Sequence, residues 1–214
     1  MMLAARPIPL TVLGHNAFDA EVNRASGPPM TGLSIDTVQV NVGLRCNLAC
    51  HHCHVESGPN RREDMTWETM ELVLAAARRA GAATLDVTGG APEMHPHFRR
   101  FVVAARRQGL AVIDRTNLTI LLEPGYDDLP TFFREHQVRL VASLPCYLEL
   151  NVDKQRGRGV YAESIEAIRR LNADGYGIDD RLPLDLVYNP GGPSLPPPQG
   201  ALEADYKREL HARY

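Results

Sequence analysis

"IDTVQVNVGLRCNLACHHCHVESGP", residues 35–59, decides how this chain is read. Its first part alternates. Val38, Val40 and Val42 take every second place, with polar residues between them. Successive strand side chains point to opposite faces, so this period of two predicts a strand over 35–43. Three of the chain's four cysteines and three of its eight histidines then fall between Cys46 and His54. They lie in the loop after the strand, which runs to Asp64 and is rich in glycine, proline and charge.

Downstream the pattern alternates between strand and helix. "TWETMELVLAAARRAG" (66–81) predicts a helix. Thr66 suits its N-cap, Glu68 its first turn and Gly81 its stop, with Met70, Val73, Leu74 and Ala77 on one face. "ATLDVTGG" (83–90) reads as a short buried strand ending in two glycines. "PHFRRFVVAARRQG" (96–109) reads as a helix with Phe98, Phe101, Val102 and Ala105 in one stripe. A strand in "LAVIDRTNLT" (110–119), a helix near 126–136 and a strand in "VRLVASLP" (138–145) follow. Next come a helix near 160–173, with Tyr161, Ile165, Ile168 and Leu171 inward, and a fifth strand in "LPLDLVYNP" (182–190). A Pro/Gly loop (190–200) leads to a last helical stretch, 201–214.

Strands joined by helical crossovers make a parallel sheet. Five strands fall short of a closed eight-stranded barrel, which takes about 250 residues. An open doubly wound sheet and an incomplete barrel both remain. Either gathers its ligands at the C-terminal ends of the strands. The reactive residues sit at those ends. Cys46, Cys50 and Cys53 follow the first strand, and Gly89 and Gly90 the second. Arg115, Thr116 and Asn117 close the third, Ser143 and Cys146 the fourth, and Asn189 the fifth. One site on one edge is the expectation.

Residues 1–33 read as an N-terminal extension and 34–214 as the core domain. The last helix calls for a sixth strand that the sequence does not include, so a larger parent protein is expected. The 214 residues are 44% hydrophobic and 23% charged, an ordinary globular balance. A net charge of −3 points away from nucleic acid and anionic membranes as partners. No apolar run approaches the roughly 20 residues of a membrane helix. Two prolines interrupt "MMLAARPIPLTVLG" (1–14), which reads as non-targeting, and the expected location is cytoplasmic.

The cysteines admit three readings. C-x3-C-x2-C (Cys46, Cys50, Cys53) can hold three irons of a cubane and leave the fourth open for a substrate. Three thiolates with His51, His52 or His54 can also close a tetrahedral zinc site. Cys50-His51-His52-Cys53 is a C-x-x-C, but such dithiols open a helix, and Gly58 and Pro59 follow here. Spacing and ligand type favour iron–sulfur, with zinc next. His95 and His97, flanking Pro96 at a helix start, read as solvated. "DKQRGRG" (153–159) reads most simply as a solvated basic loop.

C-x3-C-x2-C after a first strand, with Gly89-Gly90 in "DVTGGAPE" after the second, resembles the radical S-adenosylmethionine (SAM) superfamily. The resemblance implies an α/β fold, a partial TIM-type βα barrel with about five βα units present. "QVNVGLRCNLACHHCHVESGP", "TGGAPEMHPHFR", "RTNLTIL", "SLPCY", "NVDKQRGRGVY", "LVYNPGG" and "LEADYK" are more narrowly similar to the arsenosugar-biosynthesis radical SAM family. These segments span residues 39–207. Members carry a further cysteine-rich C-terminal domain, absent from this sequence.

That resemblance implies a 4Fe–4S cluster on Cys46, Cys50 and Cys53, and SAM as second cofactor. Cleavage of SAM to methionine and a 5′-deoxyadenosyl radical is implied, with transfer to dimethylarsenite, making the enzyme a transferase. An external electron donor such as flavodoxin or ferredoxin is implied as well. Gly89 and Gly90 are expected at the SAM amino group, where only glycine lets a backbone come close. Asn117 and Ser143 are expected near its ribose or carboxylate, and His52 near the adenine. Arg156 or Arg158 is a further candidate contact. Cys146 is the candidate arsenic ligand, a soft thiolate suiting trivalent arsenic; the plainer reading is a small buried cysteine. Other small molecules or peptides are alternative substrates, and a zinc-binding module is the non-enzymatic alternative.

Overall fold

The computed structural model describes residues 17–26, 34–192 and 195–214. Met1–Ser34 and Ile35–Tyr214 are two compact units. In the first, helix α1 (Ala17–Ser26) is described, with an Arg24–Glu21 ion pair one turn apart. The reading of residues 1–14 as non-targeting lies outside the described residues.

The second unit alternates as the periodicity predicts. β1 (Thr37–Asn41), β2 (Thr84–Thr88), β3 (Ala111–Asp114), β4 (Arg139–Ser143) and β5 (Leu184–Val187) are its strands. Between them run α2 (Trp67–Ala80), α3 (Phe98–Arg107), α4 (Leu129–Glu135), α5 (Glu149–Arg156) and α6 (Val160–Ala173). α7 (Gln199–Arg213) follows β5. The strands pair in parallel in the order β1-β2-β3-β4-β5. A doubly wound sheet reverses its strand order at a switch point. This one does not, so it winds one way, as a partial βα barrel does.

The register fixes what each face carries. Val40, Val87, Asp114 and Leu140 stand side by side across four strands, and all are buried. Phe98, Phe101, Val102 and Ala105 of α3 and Met70, Leu74 and Ala77 of α2 belong to the same core. The alternate row is Gln39, Asp86, Ile113 and Arg139, three of them polar, with Gln39 and Arg139 exposed and Asp86 buried. Asp86 is salt-bridged to Arg115 at 2.8 Å and accepts from Gln39 Nε2.

The helices begin and end for local reasons. Thr66 Oγ1 accepts from Thr69 N at 3.3 Å and caps α2, and Gly81 stops it in the left-handed region at φ 69°. The structure corrects three readings. Residues 153–156 are not loop but the last turn of α5, which stops at Gly157, and Arg156 is 3% exposed. Lys, Gln and Arg are good helix formers, so a charge run does not by itself mean loop. His95 is buried rather than solvated, with its Nε2 at 2.9 Å from the Met65 carbonyl and its Nδ1 accepting from His97 N. The third strand also stops at Asp114, well before Thr119.

Candidate functional site

The cysteine loop leaves β1 and is pinned at both ends. Gly43 bridges to Asp64, and Arg45 to Gly58. Across it lies the turn after β2. Gly90 N donates to the Gly43 carbonyl (3.0 Å) and Ala91 N to the Arg45 carbonyl (2.8 Å). A Cβ on Gly90 would lie 2.3 Å from the Arg45 oxygen, and one on Gly89 2.7 Å from the Gly43 oxygen. The glycine pair is therefore required by the close approach of the chain's own backbone.

All three cysteines open on one cavity of about 150 Å3. Gly89, Gly90, Asn117 and Ser143 line it, as do His52 and Arg156. Cys46 accepts from Leu48 N (3.4 Å) and Asn117 Nδ2 (3.5 Å), and Cys53 from Ser57 N (3.3 Å). Cys50 has the Arg156 guanidinium beside it, whose charge favours its thiolate. Burial outweighs these donors and pushes the Cys46 and Cys50 thiols above their ordinary value.

Asn117 is committed to the loop. Its Nδ2 also donates to Asn47 Oδ1 (2.6 Å), and its Oδ1 accepts from Ile120 N and Thr119 Oγ1. Asn47 in turn donates to Thr119 and Glu123. Leu118 between them has φ 69° and ψ −50°, and Thr119 N donates to the Asn117 carbonyl, a tight turn of the rarer hand. Backbone so placed costs of order 1–3 kcal/mol and persists where neighbours over-determine it.

Cys146 does not line that cavity. It is buried beside a second one of about 350 Å3, with Asn151, Gln155, Tyr188 and Asn189. Asn151 Nδ2 donates to its sulfur at 3.4 Å. Between the two cavities, Gln155 and Asn189 exchange bonds, and the Gln155 carbonyl accepts from His51 N, with the His52 ring 3.3 Å away. Arg158 is exposed and away from the lining.

A single ion would need its ligands together, with zinc–sulfur distances near 2.3 Å. Among the described residues no three His, Cys, Asp or Glu side chains group tightly enough for that. Three thiols spaced around a cavity, each met by an N–H or a cation, fit the larger cluster, whose thiolates accept such bonds.

The sequence did not single out Arg156 as buried, nor Asn47, nor the Glu93–Asp114 pair. Those two carboxyls are buried in the core and act on each other, the Thr116 side chain also favouring the Glu93 carboxylate, and burial pushes both above the usual carboxylate range. A proton shared between them gives each a bond. Nothing in the sequence pairs Glu93 with Asp114, which only the fold brings together.

The fold and the site define a βα half-barrel with a cysteine-lined cofactor cavity at its strand ends. The radical SAM superfamily profile matches residues 40–185, and the chain belongs to that superfamily. Its cofactors are accordingly a 4Fe–4S cluster and SAM. The chain is 26% identical over 132 residues to the antilisterial bacteriocin subtilosin biosynthesis protein AlbA of Bacillus subtilis (strain 168), covering 61% of this chain and 29% of that one. It is 27% identical over 99 residues to GTP 3′,8-cyclase of Chlorobaculum tepidum, covering 46% and 30%. It thus spans about a third of the length of these relatives. Among solved structures, Streptococcus suis SuiB bound to its precursor peptide SuiA shares the fold at TM-score 0.59 and 15% identity, covering 89% of this chain and 40% of that one. Among the described residues no helix is long and apolar enough to cross a membrane.

Proposed function

We propose that this chain is the core of a radical SAM enzyme that joins the 5′-deoxyadenosyl group of SAM to dimethylarsenite in arsenosugar biosynthesis. One observation carries the radical SAM chemistry: three thiols, each already met by an N–H donor or a cation, converge with Gly89-Gly90 on one cavity at the strand ends. Bound there, the cluster and SAM supply a 5′-deoxyadenosyl radical and methionine when an external donor such as flavodoxin or ferredoxin provides an electron.

The chain's own residues hold and shield. Cys46, Cys50 and Cys53 ligate. Asn117 and Leu48 N orient the Cys46 sulfur. The backbone of Gly89 and Gly90 receives the SAM amino group, Ser143 lies at its ribose or carboxylate, and His52 stacks near the adenine. Asn117 lines the same end of the cavity with its side chain already bonded. Cys146, beyond the Gln155–Asn189 pair, would receive trivalent arsenic, which a soft thiolate suits.

The arsenic assignment is supported by the segment resemblance over residues 39–207 and by a buried thiol in a second cavity next to the first. A second reading keeps the chemistry and changes the substrate to a peptide or another small molecule, which the likeness to AlbA and to GTP 3′,8-cyclases favours. Anaerobic reconstitution followed by reduction should yield 5′-deoxyadenosine. Added dimethylarsenite should divert the 5′-deoxyadenosyl group from 5′-deoxyadenosine into an arsenic-bearing product. Cys146→Ser should lose arsenite binding and keep SAM cleavage; arsenite binding equal to wild type would sink the arsenic role of Cys146.

A further inference from the structure

Arg156 is a buried cation without a buried anion. Its side chain is 3% exposed. One guanidinium nitrogen donates to the Ser143 carbonyl and to Ser164 Oγ (3.3 Å), the other to the Asn117 carbonyl at 2.5 Å. Among the described residues no carboxylate makes an ion pair with it; the Arg170–Glu166 and Arg134–Asp174 pairs on nearby elements leave it out. Burial, the largest influence, makes its charged form costly. The groups that favour its charge are, in order, the Cys50 and Cys46 thiols and then Glu163.

A guanidinium taken from water costs several kcal/mol unless a counter-charge offsets it. Three neutral oxygens satisfy donors but bring no charge. The groups that favour its charge most, ahead of Glu163, lie in the cavity that Arg156 lines with Cys46, Cys50 and Cys53. Three thiolates on a 2+ cubane core carry one net negative charge, and one added electron makes it two.

We propose that Arg156 is the counter-charge of the cluster: a positioning residue that holds the turn after β3 and the end of β4 by the Asn117 and Ser143 carbonyls and stabilises the reduced, more negative cluster over the oxidised one. Its charge acts twice on the reduced form and once on the oxidised, so it raises the reduction potential and lets a weaker external one-electron donor load the site. The inference rests on the three cysteines being the cluster ligands.

The test uses the full chain and its Arg156→Gln and Arg156→Lys variants, reconstituted anaerobically with iron and sulfide. Iron and labile sulfide are counted, and the reduced cluster's paramagnetic signal is followed through a potentiometric titration with dithionite. Arg156→Gln should load and be harder to reduce by about tenfold or more, a midpoint ~59 mV lower for one electron. Arg156→Lys keeps the charge and should stay within about threefold of wild type. A wild-type midpoint in Arg156→Gln overturns the proposal. If Arg156→Gln does not fold, Arg156→Lys decides: a drop of about tenfold there overturns it, because the charge is still present. Cys50→Ser run alongside separates the two claims. Wild-type iron content in that variant removes the ligand assignment itself; normal loading with an unmoved midpoint in Arg156→Gln removes only the role of Arg156.

Discussion

Cys46, Cys50 and Cys53 share a motif but not an environment. Cys46 is buried with two N–H donors, Cys53 half-buried with one, and Cys50 leans on a cation. Replacing any one with Ser should cut the iron retained after reconstitution and gel filtration by about tenfold or more, since three ligands cannot be spared to two. Full iron in all three variants would refute the site. Asp114 supports a different prediction. It stands in a row of apolar neighbours with its carboxyl held above its ordinary value near 3.8, chiefly by burial and then by Glu93. A carboxyl raised in the fold stabilises most below its unfolded value, and that stability is lost as pH rises through the folded one. Asp114→Asn removes this loss. Its melting temperature relative to wild type should therefore climb between pH 4 and pH 8; a constant difference across that window contradicts the shared-proton account. The cysteines were legible because spacing alone names them. The carboxyl pair was not, since Glu93 and Asp114 are far apart in sequence and meet only through the fold.

At the scale of elements, α2, α3 and α6 were legible from their apolar stripes and stops, and the structure buries Met70, Leu74, Phe98, Phe101, Ile165 and Leu171 accordingly. Thr66→Ala should cost ~1 kcal/mol of stability in denaturant unfolding, from the lost cap. α5 was hidden because it is short, carries little apolar periodicity and buries mainly Val152 and Arg156. Gly157 and Gly159, both at positive φ, end it, and the Asp153 carboxylate caps the next helix through Gly159 N and Tyr161 N, neither of which the loop reading of 153–159 contained. Gly89-Gly90 was legible as a close approach, but the sequence could not show what approaches. Because the neighbour is backbone, Gly90→Ala should cost ~1–3 kcal/mol and displace the cysteine loop. Unfolding titrations and iron content check the two effects separately; an unchanged value for both would show that the loop yields freely.

For the whole molecule, βα alternation made a parallel sheet legible, while the choice between a doubly wound sheet and a partial barrel needed the strand order. Sequence periodicity describes each strand's faces but says nothing of which strand lies beside which. α7 joins the core through Tyr206, whose hydroxyl donates to the Leu144 carbonyl at 2.6 Å beside the loop that carries Cys146. Tyr206→Phe should lower stability by ~1–2 kcal/mol, read by thermal unfolding, with iron content unchanged. One short helix spans the strand-end face: α5 gives Asn151 to the Cys146 sulfur, Gln155 to the histidines and Asn189, and Arg156 to Asn117 and Ser143. Within these eight residues, Asn151 and Gln155 line the second cavity and Arg156 lines the first. Any ligand that tilts this lever from one side changes the affinity on the other by some factor, and thermodynamic reciprocity returns the same factor in the opposite direction.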